Sequence, residues 1–189
     1  MKSYKNDLRI YTKLRQHLQT GDIIAFKGND VGSKAILLGT NGEYSHVGLV
    51  VRLKVFSVER VFIAEAVPVG VILQALHYKL SFYSGNAWWA KLKCADSDEI
   101  PENKKIRNRI AMWAMSQLGK SYDKDLIEDI LKNIVFKKNL PIESQYEFIC
   151  SEFVASALKE AGVLKRTTTN LTPKQVMELK CLEAPIKLI

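Results

Sequence analysis

Cysteine, histidine and proline are scarce: three, three and five residues in a chain of 189. Cys94, Cys150 and Cys181 are odd in number and widely spaced, which excludes a disulfide framework and a paired-cysteine zinc motif as organising features. No apolar run approaches the roughly 18 to 20 residues that a membrane-spanning helix requires, so no membrane span is expected. Basic residues open the chain (Lys2, Lys5, Arg9) with no apolar segment behind them, so the sequence as written lacks a secretory signal. On that basis a cytoplasmic setting is expected, and a signal trimmed from a precursor is compatible with it. Internal repeats, low-complexity tracts and long linkers are also missing. A single domain over 1–189 is therefore expected, with an N-terminal helix in 1–20, a strand-rich half in 21–95 and a helical half in 96–189.

What is present suits a folded domain. Hydrophobic residues make up 47% and charged residues 25%, with a mean hydropathy of -0.07, a balance that intrinsic disorder does not show. The formal net charge is +8 and the isoelectric point about 9.3, which favours anionic substrates or surfaces. The basic residues come in scattered pairs (Lys104-Lys105, Lys137-Lys138, Lys165-Arg166) and form no stripe interleaved with aromatics, so no specific nucleic-acid partner is expected. Oligomeric state is not fixed by these features.

The patterning gives an α+β order. Leu8, Tyr11, Leu14 and Leu18 recur at helical spacing, and Gly21 turns the chain into a short strand over 23–26. A small helix is expected over 33–38. Runs rich in Val and Ile then predict strands over 46–53, 60–66 and 70–76, and Trp88 and Trp89 sit in a fourth over 86–94. After Pro101, apolar residues at Ile106, Ile110, Trp113 and Ala114 predict a helix stopped by Gly119. Further helices are expected over 125–138, over 149–161 with Gly162 as a left-handed cap, and after the Thr172-Pro173 pair.

Three polar residues stand out of place in apolar segments. His46 stands in the run Tyr44-Ser45-His46-Val47-Gly48-Leu49-Val50-Val51, and Gly48 is expected to remove bulk beside the imidazole, making room for an approaching element or a ligand. Glu65 interrupts Val61-Phe62-Ile63-Ala64-Glu65-Ala66-Val67, where an unpartnered carboxylate would be costly. Cys150 lies in Phe148-Ile149-Cys150-Ser151-Glu152-Phe153-Val154, read as the first turn of a helix whose free N–H groups would favour a thiolate and a developing oxyanion. A thiol, an imidazole and a carboxylate are the groups a nucleophile, its base and the base's orienter require. Cys94, Cys181, His17 and His77 have no such setting.

These residues carry a resemblance. Gly21-Asp22-Ile23-Ile24, Tyr44-Ser45-His46-Val47-Gly48, Ala64-Glu65-Ala66, Gly119-Lys120-Ser121-Tyr122-Asp123 and Ile149-Cys150-Ser151-Glu152-Phe153-Val154 resemble, in order, the motifs of the permuted NlpC-type papain-fold hydrolases, YiiX-like branch. Lecithin:retinol acyltransferase is a more distant relative. The resemblance implies a circularly permuted papain-like fold, with an antiparallel sheet or partial barrel packed against helices. It implies Cys150 as nucleophile, His46 as base and Glu65 as orienter, with Tyr44, Tyr122 and Ser151 lining the substrate site. The implied chemistry is hydrolysis or acyl transfer through a thioester on a peptide, amide, ester or acyl-lipid substrate, with neither cofactor nor metal. Two alternatives remain at this point: zinc held by the Cys, His and Glu side chains, and a non-catalytic module that binds anionic partners.

Overall fold

The computed structural model describes residues 6–30, 33–34, 37–38, 41–67, 69–93, 101–120, 145–165 and 171–189. Helix α1 (Arg9–Leu14) runs into a 3₁₀ turn (Arg15–His17), and β1 (Ile23–Gly28) follows. Ser33, Lys34, Leu37 and Leu38 are helical. Strands β2 (His46–Val55), β3 (Val58–Val67) and β4 (Gly70–Ala75) come next, then α2 (Leu76–Phe82) and β5 (Gly85–Ala90). The second half supplies α3 (Pro101–Ser116), α4 (Gln145–Glu160), α5 (Pro173–Met177) and the two-residue β6 (Ile186–Lys187). The fold is α+β, as the patterning predicts.

All strand pairings are antiparallel, and the six strands form an open sheet in the order β4-β3-β2-β1-β5-β6. Apolar side chains alternate between its faces, because successive residues of a strand point to opposite sides. Ile23 and Ala25 of β1, with Val47, Leu49 and Val51 of β2, join one core with Ile110 of α3, Phe153 and Val154 of α4, and Val176 of α5. Ile24, Phe26, Val50 and Ile63 join the other core, with Tyr11 of α1 and Leu76 and Leu80 of α2. Helices therefore cover both faces, which is why the central strands read as nearly continuous apolar runs.

Local chemistry fixes several boundaries. Thr172 caps α5 in a reciprocal capping box with Gln175, and Gly162 (φ +78) follows α4 in the left-handed conformation. Asp22, fully buried at the start of β1, accepts hydrogen bonds from the N–H groups of Gln19 and Leu92, from Trp89 Nε1 and from Arg107 Nη1 of α3. Arg107 Nη1 also donates to the Thr20 carbonyl at 2.5 Å, tying α3 to the strand entry.

Two expectations are revised. Leu76 begins α2 where a strand end was expected, because Leu76 and Leu80 recur at helical spacing against the sheet. Helix α4 begins at Gln145, four residues before its expected start, because Gln145, Tyr146 and Glu147 carry no apolar periodicity that would announce it. The helix expected over 125–138 lies outside the described residues.

Candidate functional site

His46 is the first residue of β2, and the preceding Ser45 fixes where that strand starts. The Ser45 N–H donates to the Phe26 carbonyl at 2.8 Å, and its hydroxyl accepts from the Gly28 N–H at 3.1 Å and donates to the Phe26 carbonyl at 3.3 Å. Tyr83 hydrogen-bonds the same hydroxyl. Burial raises the Tyr83 phenol well above its ordinary range, so it stays protonated beside the site. The His46 ring lies against Phe26 with ring centroids 5.8 Å apart.

Glu65 reaches the same place through the hairpin of β2 and β3. Their pairing runs from Val55↔Val58 to Leu49↔Ala64, and Glu65 follows, paired on its other side with Ile72 of β4. Its side chain is 0% exposed, yet both oxygens are fully engaged. Oε2 accepts from His46 Nε2 at 2.6 Å and from Lys79 Nζ at 3.1 Å. Oε1 accepts from Gln74 Nε2 at 2.5 Å and from Lys79 Nζ at 3.0 Å. Burial by itself would raise the Glu65 carboxyl, but His46 and Lys79 hold it down at about 2.

Cys150 comes from α4 and has no exposed surface. Its side chain hydrogen-bonds the His46 imidazole. Burial by itself would lower the imidazole, but Cys150 and then Glu65 raise it to about 9. A neutral ring that donates from Nε2 to Glu65 has Nδ1 left as an acceptor, the tautomer needed to take a proton from a thiol. The His46 side chain is 20% exposed, so the relay touches solvent at the imidazole and is covered at both ends. The structure therefore brings together the three residues that the sequence singled out.

One of the reasons given for them changes, and one of two alternatives at Gly48 is settled. Cys150 is the sixth residue of α4, so its N–H lies within the intrahelical ladder, beyond the first turn where unpaired donors and the helix dipole act. The imidazole, and not the helix terminus, supplies a polar contact to the sulfur. The space at Gly48 is taken by an approaching element, the neighbouring strand β3, and not by a ligand: a Cβ there would stand 2.7 Å from Ile63 Cδ1 and 3.1 Å from the Ala64 carbonyl.

The lining residues fall in different places. Tyr44 is buried in the core beside Val47, its ring meeting Trp88 edge-on at 5.3 Å, and burial raises its phenol. Ser151 is fully buried, and its hydroxyl has no hydrogen-bond partner among the described residues. Tyr122 lies outside the described residues. Sequence reading missed Lys79, Gln74, Ser45 and Tyr83. Lys79 had a legible signal, because a helix over 76–82 puts it on the face shared by Leu76 and Leu80.

No family model matches the chain, and no curated protein does. Among solved structures it is similar to the metalloprotein YiiX from Escherichia coli O157:H7, over 89% of this chain and 96% of that one, with a TM-score of 0.52 and 22% identity. The chain has a YiiX-like fold. At that identity the likeness to YiiX concerns the fold alone, so a metal must be judged on the donors present here. Cys150, His46 and Glu65 do not fit one. The imidazole stands between the other two groups, the Glu65 oxygens already accept four hydrogen bonds, and the Lys79 ammonium would repel a cation. Among the described residues no group of three or more His, Cys, Asp or Glu is arranged to hold a metal ion.

Proposed function

We propose that this chain is a cysteine-dependent hydrolase or acyltransferase of the permuted NlpC-type papain-like class, working through a thioester. The observation that carries the reading is the continuous hydrogen-bonded relay from Cys150 through His46 to Glu65. Cys150 gives its proton to His46 and its sulfur attacks an acyl carbon. As the tetrahedral intermediate collapses, the bond to the leaving amine or alkoxide breaks and His46 supplies that group's proton. Water or another acceptor then attacks the thioester, His46 takes its proton, and the sulfur leaves to regenerate the thiol. Glu65 holds the ring in the required tautomer and balances its charge throughout. The net charge of +8 favours an anionic amide, peptide or acyl-lipid substrate.

The test uses a small activated acyl ester. Wild-type protein is expected to release one leaving group per chain in a burst and to carry the acyl group on Cys150, as read by peptide mass spectrometry. Cys150→Ala and His46→Ala, both folded by circular dichroism, are expected to lose the burst. Acylation spread evenly over the three cysteines, or a stoichiometric zinc ion whose removal abolishes the burst, would overturn the reading.

A further inference from the structure

The Lys79 ammonium is placed unlike an ordinary surface lysine. It contacts both oxygens of the buried Glu65, at 3.0 and 3.1 Å. It also stands over the rings of Phe26 and Tyr83, at 5.2 and 5.8 Å from their centroids. Its side chain is 20% exposed, so α2 directs it inward. One Glu65 oxygen, Oε2, is shared between Lys79 and the His46 imidazole. The amide of Gln74 meanwhile anchors the other oxygen.

Two cationic groups thus draw on one carboxylate. A carboxylate given wholly to an imidazolium holds its proton tightly, which suits a resting ion pair and hinders a group that must release that proton to a leaving group. Around the ring, Cys150 comes from α4, Glu65 from β3, Lys79 from α2 and Tyr83 from the segment after α2, with Asp30 acting on Tyr83 from beyond it. Lys79 is the lone cation in this set besides the imidazole.

We propose that Lys79 is a positioning residue of the relay: it takes a share of Glu65, fixes the carboxylate's orientation, and limits the carboxylate's claim on His46. This rests on the hydrolase reading, and it explains why the buried carboxylate has a cation in addition to the histidine. With Lys79 the relay holds two anionic and two cationic groups when the proton is on the imidazole. Without Lys79 it holds an excess of negative charge.

The chain has three histidines, so the His46 ring signal can be followed individually by NMR as pH is varied. In Lys79→Met the His46 midpoint is expected to rise by about half a pH unit or more, because removing a nearby positive charge favours the imidazolium. In Lys79→Arg it is expected to stay near the wild-type value. Lys79→Met is also expected to lower kcat for an activated ester more than it changes KM. An unmoved or lowered midpoint in folded Lys79→Met would overturn the proposal. Lys79→Gln is a second neutral variant, and failure of both neutral variants to fold would assign Lys79 a purely structural role. The underlying reading fails separately: it requires a raised wild-type midpoint that falls in Cys150→Ala, whatever Lys79 does.

Discussion

Replacing Glu65 by Gln tests whether the relay is an ion pair that the fold depends on. The isosteric amide keeps the volume and removes the charge, leaving the Lys79 ammonium and the protonated His46 without their shared anion. Glu65 is held at about 2 against 4.5 for a free side chain, because His46 and Lys79 outweigh its burial. At about 1.4 kcal/mol for each tenfold change in proton affinity, this corresponds to about 3 kcal/mol of native-state stability. The His46 rise from 6.5 to about 9 reflects largely the same pair together with Cys150 and is not counted again. The signs differ at the two ends of the pH scale. The Glu65 contribution is present above about pH 4.5 and is lost as pH falls through about 2, whereas the His46 contribution is present below about 6.5 and is lost as pH rises through about 9. Glu65→Gln is therefore expected to lower the unfolding free energy at pH 7 by about 3 kcal/mol, within the range for breaking one side of a buried pair. With a urea slope of about 2 to 3 kcal/mol/M, the midpoint should fall by about 1 to 1.5 M. It should also remove the loss of stability expected of wild type as pH falls from about 4.5 to about 2. An unchanged slope with a midpoint shift under about 0.3 M, or an acid dependence identical to wild type, would refute the reasoning.

Three further outcomes follow from sites away from the sulfur. Asp22→Asn removes the buried carboxylate that pairs with Arg107 Nη1 at 3.1 Å and is expected to cost about 3 kcal/mol in urea unfolding, a loss that the double change with Arg107→Leu should partly recover. Gly48→Ala forces a methyl group against Ile63 and should destabilise by about 1 to 3 kcal/mol, with Ile63→Val relieving part of it. The β2–β3 turn holds Phe56 (φ +46) and Ser57 (φ +69) in the left-handed region, and Phe56 is 97% exposed. Phe56→Asn with Ser57→Gly supplies the residues that turn prefers and should raise the melting free energy by about 0.5 to 1 kcal/mol with no change at His46.

The element order and the three reactive residues were readable in the amino-acid order because each rests on local contrast. Period-two and period-3.6 apolar patterns mark β1 to β5 and the helices that follow, since burial of one face imposes them on the chain directly. His46, Glu65 and Cys150 stand out as polar or reactive groups within apolar surroundings, where their cost demands partners. Folding decided that Lys79 and Gln74 join them. Lys79 and Gln74 are ordinary residues by composition, and they matter only because β4 and α2 return to the end of β3 and aim them at one carboxylate. The start of α4 and the occupant of the space at Gly48 were likewise set by packing across the sheet, which no pattern within a single segment encodes. Distance between groups far apart in sequence is a property of the assembled sheet and its covering helices, and the relay exists because that assembly brings residues of β2, β3, α2 and α4 together.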